Sequence, residues 1–162
     1  MIAACALSLE PKSPPSGLDH GVMQALIFEQ SGGEPWSFSV RGEGFARVLP
    51  TLKDAIREAR AVPLDRGNIH VGLAGLPIDL QSVSALRFAP CRNITLAAGQ
   101  ITQLVERCKA ASKPDPVYCA IAAYHGSWDR PDTWFADAVR ETLKKGNAPN
   151  FEMPERWLSR RR

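Results

Sequence analysis

Residues 26–36, LIFEQSGGEPW, are the most informative stretch of this chain. The apolar residues around the start of this stretch fall on one helical stripe: Val22, Met23, Leu26 and Ile27. Their spacing predicts a helix over residues 18–30, and Gly32 or Gly33 supplies the left-handed residue at which such a helix stops. The last turn of the helix therefore presents Glu29 at a half-buried helix end, a setting in which enzymes hold a general acid.

The remaining pattern predicts a mainly helical protein with a small sheet. Residues 36–40, WSFSV, alternate as a half-buried strand, and residues 69–73 form a second strand before the turns of LAGLPID. Between them, Thr51 caps a helix that ends near residue 62. Three further helices are predicted over residues 94–111, 117–124 and 134–145.

Length and composition predict one globular domain. Of the 162 residues, 44% are hydrophobic and 23% are charged, as in ordinary soluble proteins. We expect an N-terminal segment over residues 1–17, with a short helix at 2–8 before an irregular stretch rich in proline and serine. The domain itself covers residues 18–146, and an arginine-rich, poorly ordered tail covers residues 147–162.

Charge and hydropathy argue against two classes of partner. The net charge of +3 is far from that of a dedicated nucleic-acid binder. No apolar run approaches the ~20 residues that a membrane span requires. The first nine residues, MIAACALSL, have no basic residue before their apolar run, so the sequence does not predict a signal peptide.

The chain has four cysteines and three histidines: Cys5, Cys91, Cys108, Cys119, His20, His70 and His125. They include no C-x-x-C pair and the histidines are scattered, so no metal site is predicted. Four cysteines can pair in three ways, and in an oxidising compartment we favour Cys5 with Cys91 and Cys108 with Cys119. Buried free thiols in a cytosolic protein fit the spacing equally well.

Four landmarks follow one another along the chain: SGGEPW after the acid, Gly72-Leu73 after a strand, PCRNI before a long helix, and AAYHG after a buried helix. In this order they resemble the lytic transglycosylases, most closely the branch attached to type IV secretion systems. The resemblance covers roughly residues 2–146, and Cys5, Cys91, Asn93 and Tyr124 match the family pattern. It implies a lysozyme-like α+β fold, mainly helical with a small antiparallel sheet.

The resemblance also implies an activity. The family cleaves peptidoglycan between N-acetylmuramic acid and N-acetylglucosamine, so we expect a periplasmic lytic transglycosylase that needs no cofactor and serves a secretion or conjugation apparatus. Its partners would be glycan strands and secretion-system components. One carboxyl group, that of Glu29, would protonate the glycosidic oxygen and then deprotonate the C6 hydroxyl, giving a 1,6-anhydro sugar. The candidate substrate contacts are Gln30, Ser31, Gly72, Tyr124 and Trp36.

The chain departs from the family in ways that keep an alternative open. The family's catalytic glutamate directly precedes serine, whereas here Gln30 holds that place and Glu29 lies one residue earlier. This shift turns the side chain by about 100°, so Glu29 could serve only if the last turn is rewound or the cleft rearranged. The family's GLMQIN reads GLAGLP over residues 72–77, and its Y-N pair reads Tyr124-His125. A non-catalytic, lysozyme-like peptidoglycan-binding or accessory protein is therefore the alternative, and an unrelated cytosolic interaction domain is a third hypothesis.

Structural roles compete with each functional interpretation. Glu34 and Glu43 are the nearby candidates for the second acid of a two-carboxylate glycosidase. Tyr124 is also expected as a core residue whose hydroxyl finds a partner. His125 fits a helix cap or a surface residue. The tryptophans, Trp36, Trp128 and Trp134, fit packing positions better than sugar platforms.

Overall fold

The fold, taken from a computed structural model that describes residues 18–43 and 45–146, combines six α-helices with one four-stranded sheet within those ranges. The helices are α1 His20–Ser31, α2 Leu52–Arg60, α3 Ala85–Phe88, α4 Pro90–Ala110, α5 Pro116–His125 and α6 Thr133–Lys145. The strands are β1 Ser37–Val40, β2 Arg47–Val48, β3 Ile69–Val71 and β4 Leu76–Ile78. This confirms the α+β class. The predicted helix at residues 2–8 and the predicted tail lie outside the described residues.

The helix α1 begins and ends where the sequence indicates. The Asp19 carboxylate accepts a hydrogen bond from the Val22 backbone N–H at 2.9 Å, which caps the first turn. Gly32 has φ 60° in the left-handed region, and its N–H donates to the Phe28 carbonyl at 2.9 Å. The helix is continuous to Ser31 and needs no rewinding in its last turn.

The sheet is antiparallel throughout, in the order β2-β1-β3-β4. All four residues of β1 are buried, so the half-buried strand predicted there is wrong: the serines at alternate positions are covered as well. The prediction of turns after Leu73 is also wrong in part, because residues 76–78 form the edge strand β4. Proline is uncommon within strands because it has no N–H to donate. Pro77 is tolerated here because β4 lies at the edge of the sheet.

The long helix α4 packs against α5, which in turn contacts α6, and α6 lies against α1. Pro90 occupies the first turn of α4, where its missing N–H costs nothing, so the helix begins four residues before the predicted start. The predicted disulfide between Cys108 and Cys119 is present and joins α4 to α5. The other predicted pair includes Cys5, which lies outside the described residues. Within the described ranges, no helix combines the length and apolar character that crossing a bilayer requires.

Asn93 holds the turn between β3 and β4 against α4. Its side chain is fully buried and makes three hydrogen bonds. The amide nitrogen donates to the carbonyls of Val71, at 2.8 Å, and Arg87, at 2.7 Å. The amide oxygen accepts the Ala74 N–H at 2.8 Å. Gly72 has φ 73°, and a Cβ there would collide with the Asn93 amide, so the glycine allows this close approach.

We predict that Asn93→Ala lowers the free energy of unfolding by about 3 kcal/mol, because two buried backbone groups and one part-buried carbonyl lose their partners. Urea unfolding measures this loss. The matched control is Asn68→Ala at an exposed position, for which we expect little change. A loss no larger than that of the control would show that the turn does not depend on Asn93.

Candidate functional site

A cleft lies between the sheet and the helices α1, α5 and α6. It has two lobes that share Ser39, Gly42, Glu43, His125, Asp132 and Trp134. The first lobe, of about 260 Å³, contains Glu29 and Gln30. The second lobe, of about 350 Å³, contains His70, Arg41 and Arg130. We call the whole the sheet–helix cleft. It brings an acid, an amide, imidazoles and guanidinium groups to one surface.

Glu29 lies half-buried in the first lobe. Its Oε1 accepts a hydrogen bond from the Thr142 hydroxyl on α6, which fixes one carboxylate oxygen on the helical side of the cleft. The helix is regular here, so Glu29 reaches the cleft without the rewinding that its position in the sequence suggested. The second carboxylate oxygen has no hydrogen bond from any described residue.

Gln30 lies at the base of the same lobe and is only 6% exposed. Its Nε2 donates to the Ser39 hydroxyl at 3.4 Å, while Oε1 accepts no hydrogen bond from the described residues. Exchanging the two amide positions would pair Oε1 with Ser39 and leave Nε2 alone, so one buried polar atom lacks a partner either way. Gly75 makes room for this amide, since a Cβ there would collide with it. A buried amide of this kind is suited to hydrogen-bond a ligand.

Two exposed aromatic rings border the cleft. Trp134 is 75% exposed and borders both lobes, and Phe45 is 64% exposed and borders the first. The expectation that Trp134 packs inside the protein is therefore wrong: it stands at the start of α6, one residue before the buried Phe135. Exposed rings beside a polar cleft can stack on the apolar face of a sugar.

The other predicted substrate contacts lie in the protein interior. Ser31 is buried, and its hydroxyl is hydrogen-bonded to the Ile27 carbonyl at 3.0 Å and the Leu73 carbonyl at 2.8 Å. Tyr124 is 3% exposed and its hydroxyl donates to the Ala74 carbonyl at 2.9 Å, so its proton is not directed to Glu29. Burial also raises the pKa of Tyr124 well above its ordinary value.

Trp36 and Gly72 likewise lie away from the cleft lining. Trp36 belongs to the hydrophobic core with 8% exposure, in agreement with a packing role. The Gly72 N–H donates to the Ser37 carbonyl at 2.8 Å, and the glycine lies in the turn that Asn93 holds. Trp128 is half-buried under the Arg107 guanidinium, 3.7 Å from the ring centre.

A histidine–carboxylate cluster lies where the two lobes meet. His125 Nδ1 is 2.8 Å from Asp132 Oδ2. The His125 ring stacks with His70, with centroids 4.7 Å apart, and with Phe135, with centroids 3.9 Å apart. The Arg41 guanidinium donates to the Gly126 carbonyl beside this stack. The cluster has no signature in the sequence, because His70, on β3, is brought to His125 only by the tertiary fold.

Burial governs the protonation of both imidazoles. Desolvation, with smaller contributions from His125 and Arg41, lowers the pKa of His70 to about 3. Desolvation also lowers the pKa of His125, although Asp132 opposes the shift. For Asp132, burial favours the neutral acid, but hydrogen bonds from the Phe135 N–H and from His125 outweigh it and lower the pKa. Both imidazoles are therefore neutral at pH 7.

Of the two candidate second acids, Glu43 borders the cleft and Glu34 is exposed outside its lining. Glu43 pairs with Arg47 at 2.9 Å.

A larger cavity of about 460 Å³ lies elsewhere, around Tyr118 and Trp128. Its only carboxylate among the described lining residues, Asp115, is paired with Arg140 at 2.9 Å. We therefore look for an acid or a base among the side chains of the sheet–helix cleft instead. The described residues contain no cluster of three or more side chains suited to hold a metal ion.

Comparisons with protein-family models, curated proteins and solved structures found no match to this chain. The resemblance to lytic transglycosylases therefore stays a prediction from the sequence landmarks.

We predict that the free energy of unfolding falls as the pH is lowered from 6.5 towards 3. Across this range the unfolded chain binds a proton at His70 that the folded protein excludes, at up to ~1.4 kcal/mol per pH unit. Most carboxyl groups stay ionised above about pH 4.5, so the upper part of the range reports the histidines. His125, shifted in the same direction, adds to the slope.

Denaturant unfolding at several pH values measures this slope, which should be clearly smaller in His70→Gln. The matched control is His20→Gln, which removes an exposed imidazole outside the cleft and should keep the wild-type slope. An unchanged slope in His70→Gln would contradict the assignment to His70.

Proposed function

We propose that the protein is a lysozyme-like peptidoglycan lytic transglycosylase, in which Glu29 is the acid that protonates the glycosidic oxygen. The observation that carries the proposal is that Glu29, half-buried at the end of α1, borders a cleft with exposed aromatic rings at its edge. The order of the sequence landmarks adds the choice of peptidoglycan as substrate. The disulfide between Cys108 and Cys119 supports an oxidising compartment such as the periplasm, where such an enzyme would serve a secretion or conjugation apparatus.

The proposed reaction requires three events in the cleft. A glycan strand must bind along it, for which Trp134 and Phe45 offer stacking surfaces and Gln30 offers a buried amide. An acid must stand beside the scissile bond, and Glu29 has one oxygen free of hydrogen bonds from the described residues. The C6 hydroxyl must then lose its proton as it attacks C1, which releases a 1,6-anhydro product.

We predict that the purified protein releases 1,6-anhydromuropeptides from peptidoglycan sacculi and that Glu29→Gln lowers the rate by at least 100-fold. The amide can accept the Thr142 hydrogen bond but cannot donate the acid proton to the glycosidic oxygen, so the variant should fold and bind sacculi as before. Mass spectrometry of the soluble products measures the rate.

The matched control is Glu34→Gln, an exposed acid outside the cleft lining, which should keep full activity. Wild-type protein that is folded and yet releases no anhydro products would contradict the proposed activity. Equal rates for Glu29→Gln and the control would contradict the role of Glu29.

A non-catalytic peptidoglycan-binding protein is the second candidate, and one observation favours it. The residue at the base of the cleft, in the place of the family's glutamate, is the amide Gln30. An amide side chain can hydrogen-bond a glycan but cannot give and retake a proton. If wild-type protein is inactive and Gln30→Glu gains anhydro product release, the cleft is a binding site whose chemistry was lost at this position.

Both candidates predict that Trp134→Ala weakens binding to sacculi about tenfold, which corresponds to ~1.4 kcal/mol, because an exposed stacking surface is removed. Co-sedimentation with sacculi measures the affinity. Leu64→Ala is the control, since Leu64 is 73% exposed and lies outside the cleft lining. If the two variants bind equally well, glycan does not contact this edge of the cleft.

A further inference from the structure

The histidine–carboxylate pair in the sheet–helix cleft has the geometry of a general base. We propose that His125, oriented by Asp132, takes the proton of the C6 hydroxyl, while Glu29 acts as the acid alone. The inference rests on the transglycosylase activity proposed above, and it divides between two side chains the two proton transfers that the family resemblance assigns to one carboxyl group.

The His125 ring is held in one orientation. His70 stacks on it at 4.7 Å with a 20° angle between the rings, and Phe135 stacks on it at 3.9 Å with a 10° angle. Asp132 is fixed in turn, because its Oδ1 accepts the Phe135 N–H at 3.0 Å and its own N–H donates to the Ala122 carbonyl at 2.8 Å. A base held in this way needs little reorganisation when it accepts a proton.

The contact with Asp132 also selects the tautomer. When Nδ1–H donates to the Asp132 carboxylate, the lone pair of the neutral ring lies on Nε2, as a base requires. Among the described residues, the charged groups that shift the pKa of His125 are Asp132, which raises it, and Arg41, which lowers it, while the stacked His70 is neutral at pH 7. Glu29, Glu43 and Arg130 line the same lobes as His125. Since burial lowers the pKa of His125, the ring is neutral before the reaction, and its Nε2 can accept a proton.

The position of Glu29 explains why a second side chain, His125, would accept the proton of the C6 hydroxyl. Its Oε1 is engaged by Thr142 on α6, which ties the carboxylate to the helical side. His125 borders the same lobe of about 260 Å³, so one sugar unit can contact both side chains. A carboxyl group one residue away from the family position can then serve as the acid without also reaching the C6 hydroxyl.

The proposed step breaks the glycosidic bond and forms one new bond within the same sugar. Glu29 gives its proton to the glycosidic oxygen as the bond from that oxygen to C1 breaks. The C6 oxygen forms the new bond to C1 while its proton passes to His125 Nε2. The products are the 1,6-anhydro sugar, the free 4-hydroxyl of the next sugar, the Glu29 carboxylate and the His125 imidazolium. One proton exchange with water from the imidazolium to the carboxylate restores the enzyme.

The first test is His125→Gln, for which we predict a rate of anhydro product release at least 100-fold lower, with co-sedimentation on sacculi retained. Retained binding shows that the cleft is intact. His20→Gln is the matched control for loss of an imidazole, and it should keep full activity. Activity of His125→Gln within threefold of the control, with Glu29→Gln inactive, would overturn the base role and leave the proposed function standing. No activity in the wild type would overturn both.

The second test is Asp132→Asn, which keeps a good helix cap for α6 because asparagine is favoured at that position. Asp132 is a positioning residue, so its test needs a readout that a structural role would not move. The carboxylate raises the pKa of His125 against the effect of burial. Its loss should therefore lower that pKa further and move the acid limb of the pH–rate profile to lower pH, together with a drop in rate of tenfold or more. A drop in rate with an unmoved acid limb would overturn the pairing.

Discussion

The turn at residues 72–75 is held by buried hydrogen bonds from residues of three helices. Asn93 holds it from α4 through the N–H of Ala74, Ser31 holds it from the end of α1, and the Tyr124 hydroxyl holds it from α5. These hydrogen bonds are buried, so each polar group depends on its partner. The loss of one side chain would leave a buried backbone group of the turn without a hydrogen bond. The turn thereby fixes where the end of α1 stands against the sheet.

This constraint separates the roles of two adjacent residues. Because Ser31 ties the last turn of α1 to the residue 72–75 turn, Gln30 is directed to Gly75 and Ser39 at the base of the cleft. Glu29, about 100° away around the helix, meets Thr142 on the helical side. The two side chains still border one lobe, which is why an acid and an amide are available to the same ligand. The cleft therefore offers side chains for both the glycan binding and the proton transfer that we propose.

Local signals in the sequence predicted much of the fold and less of the site. Asp19, Gly32 and the apolar stripe of α1 are local features, and they located that helix to within two residues. The strand β4 was missed because a three-residue strand containing Pro77 has no distinctive period. The pairing of His125 with His70 joins residues far apart in the chain, so no spacing could indicate it. Some residues predicted to contact the substrate, among them Ser31 and Tyr124, are buried and hydrogen-bonded to the turn beside the cleft. A sequence motif cannot distinguish such a structural role from substrate binding.

Glycan binding in the sheet–helix cleft can be observed by titrating isotope-labelled protein with a soluble peptidoglycan tetrasaccharide and following the NMR signals of the side-chain amide and indole N–H groups. We expect saturable shifts of the Gln30 amide and Trp134 indole signals, while the signals of the buried Asn93 amide and of an exposed amide such as Asn68 stay in place. Shifts confined to other parts of the protein, with Gln30 and Trp134 unchanged, would contradict the claim that the sheet–helix cleft binds the glycan.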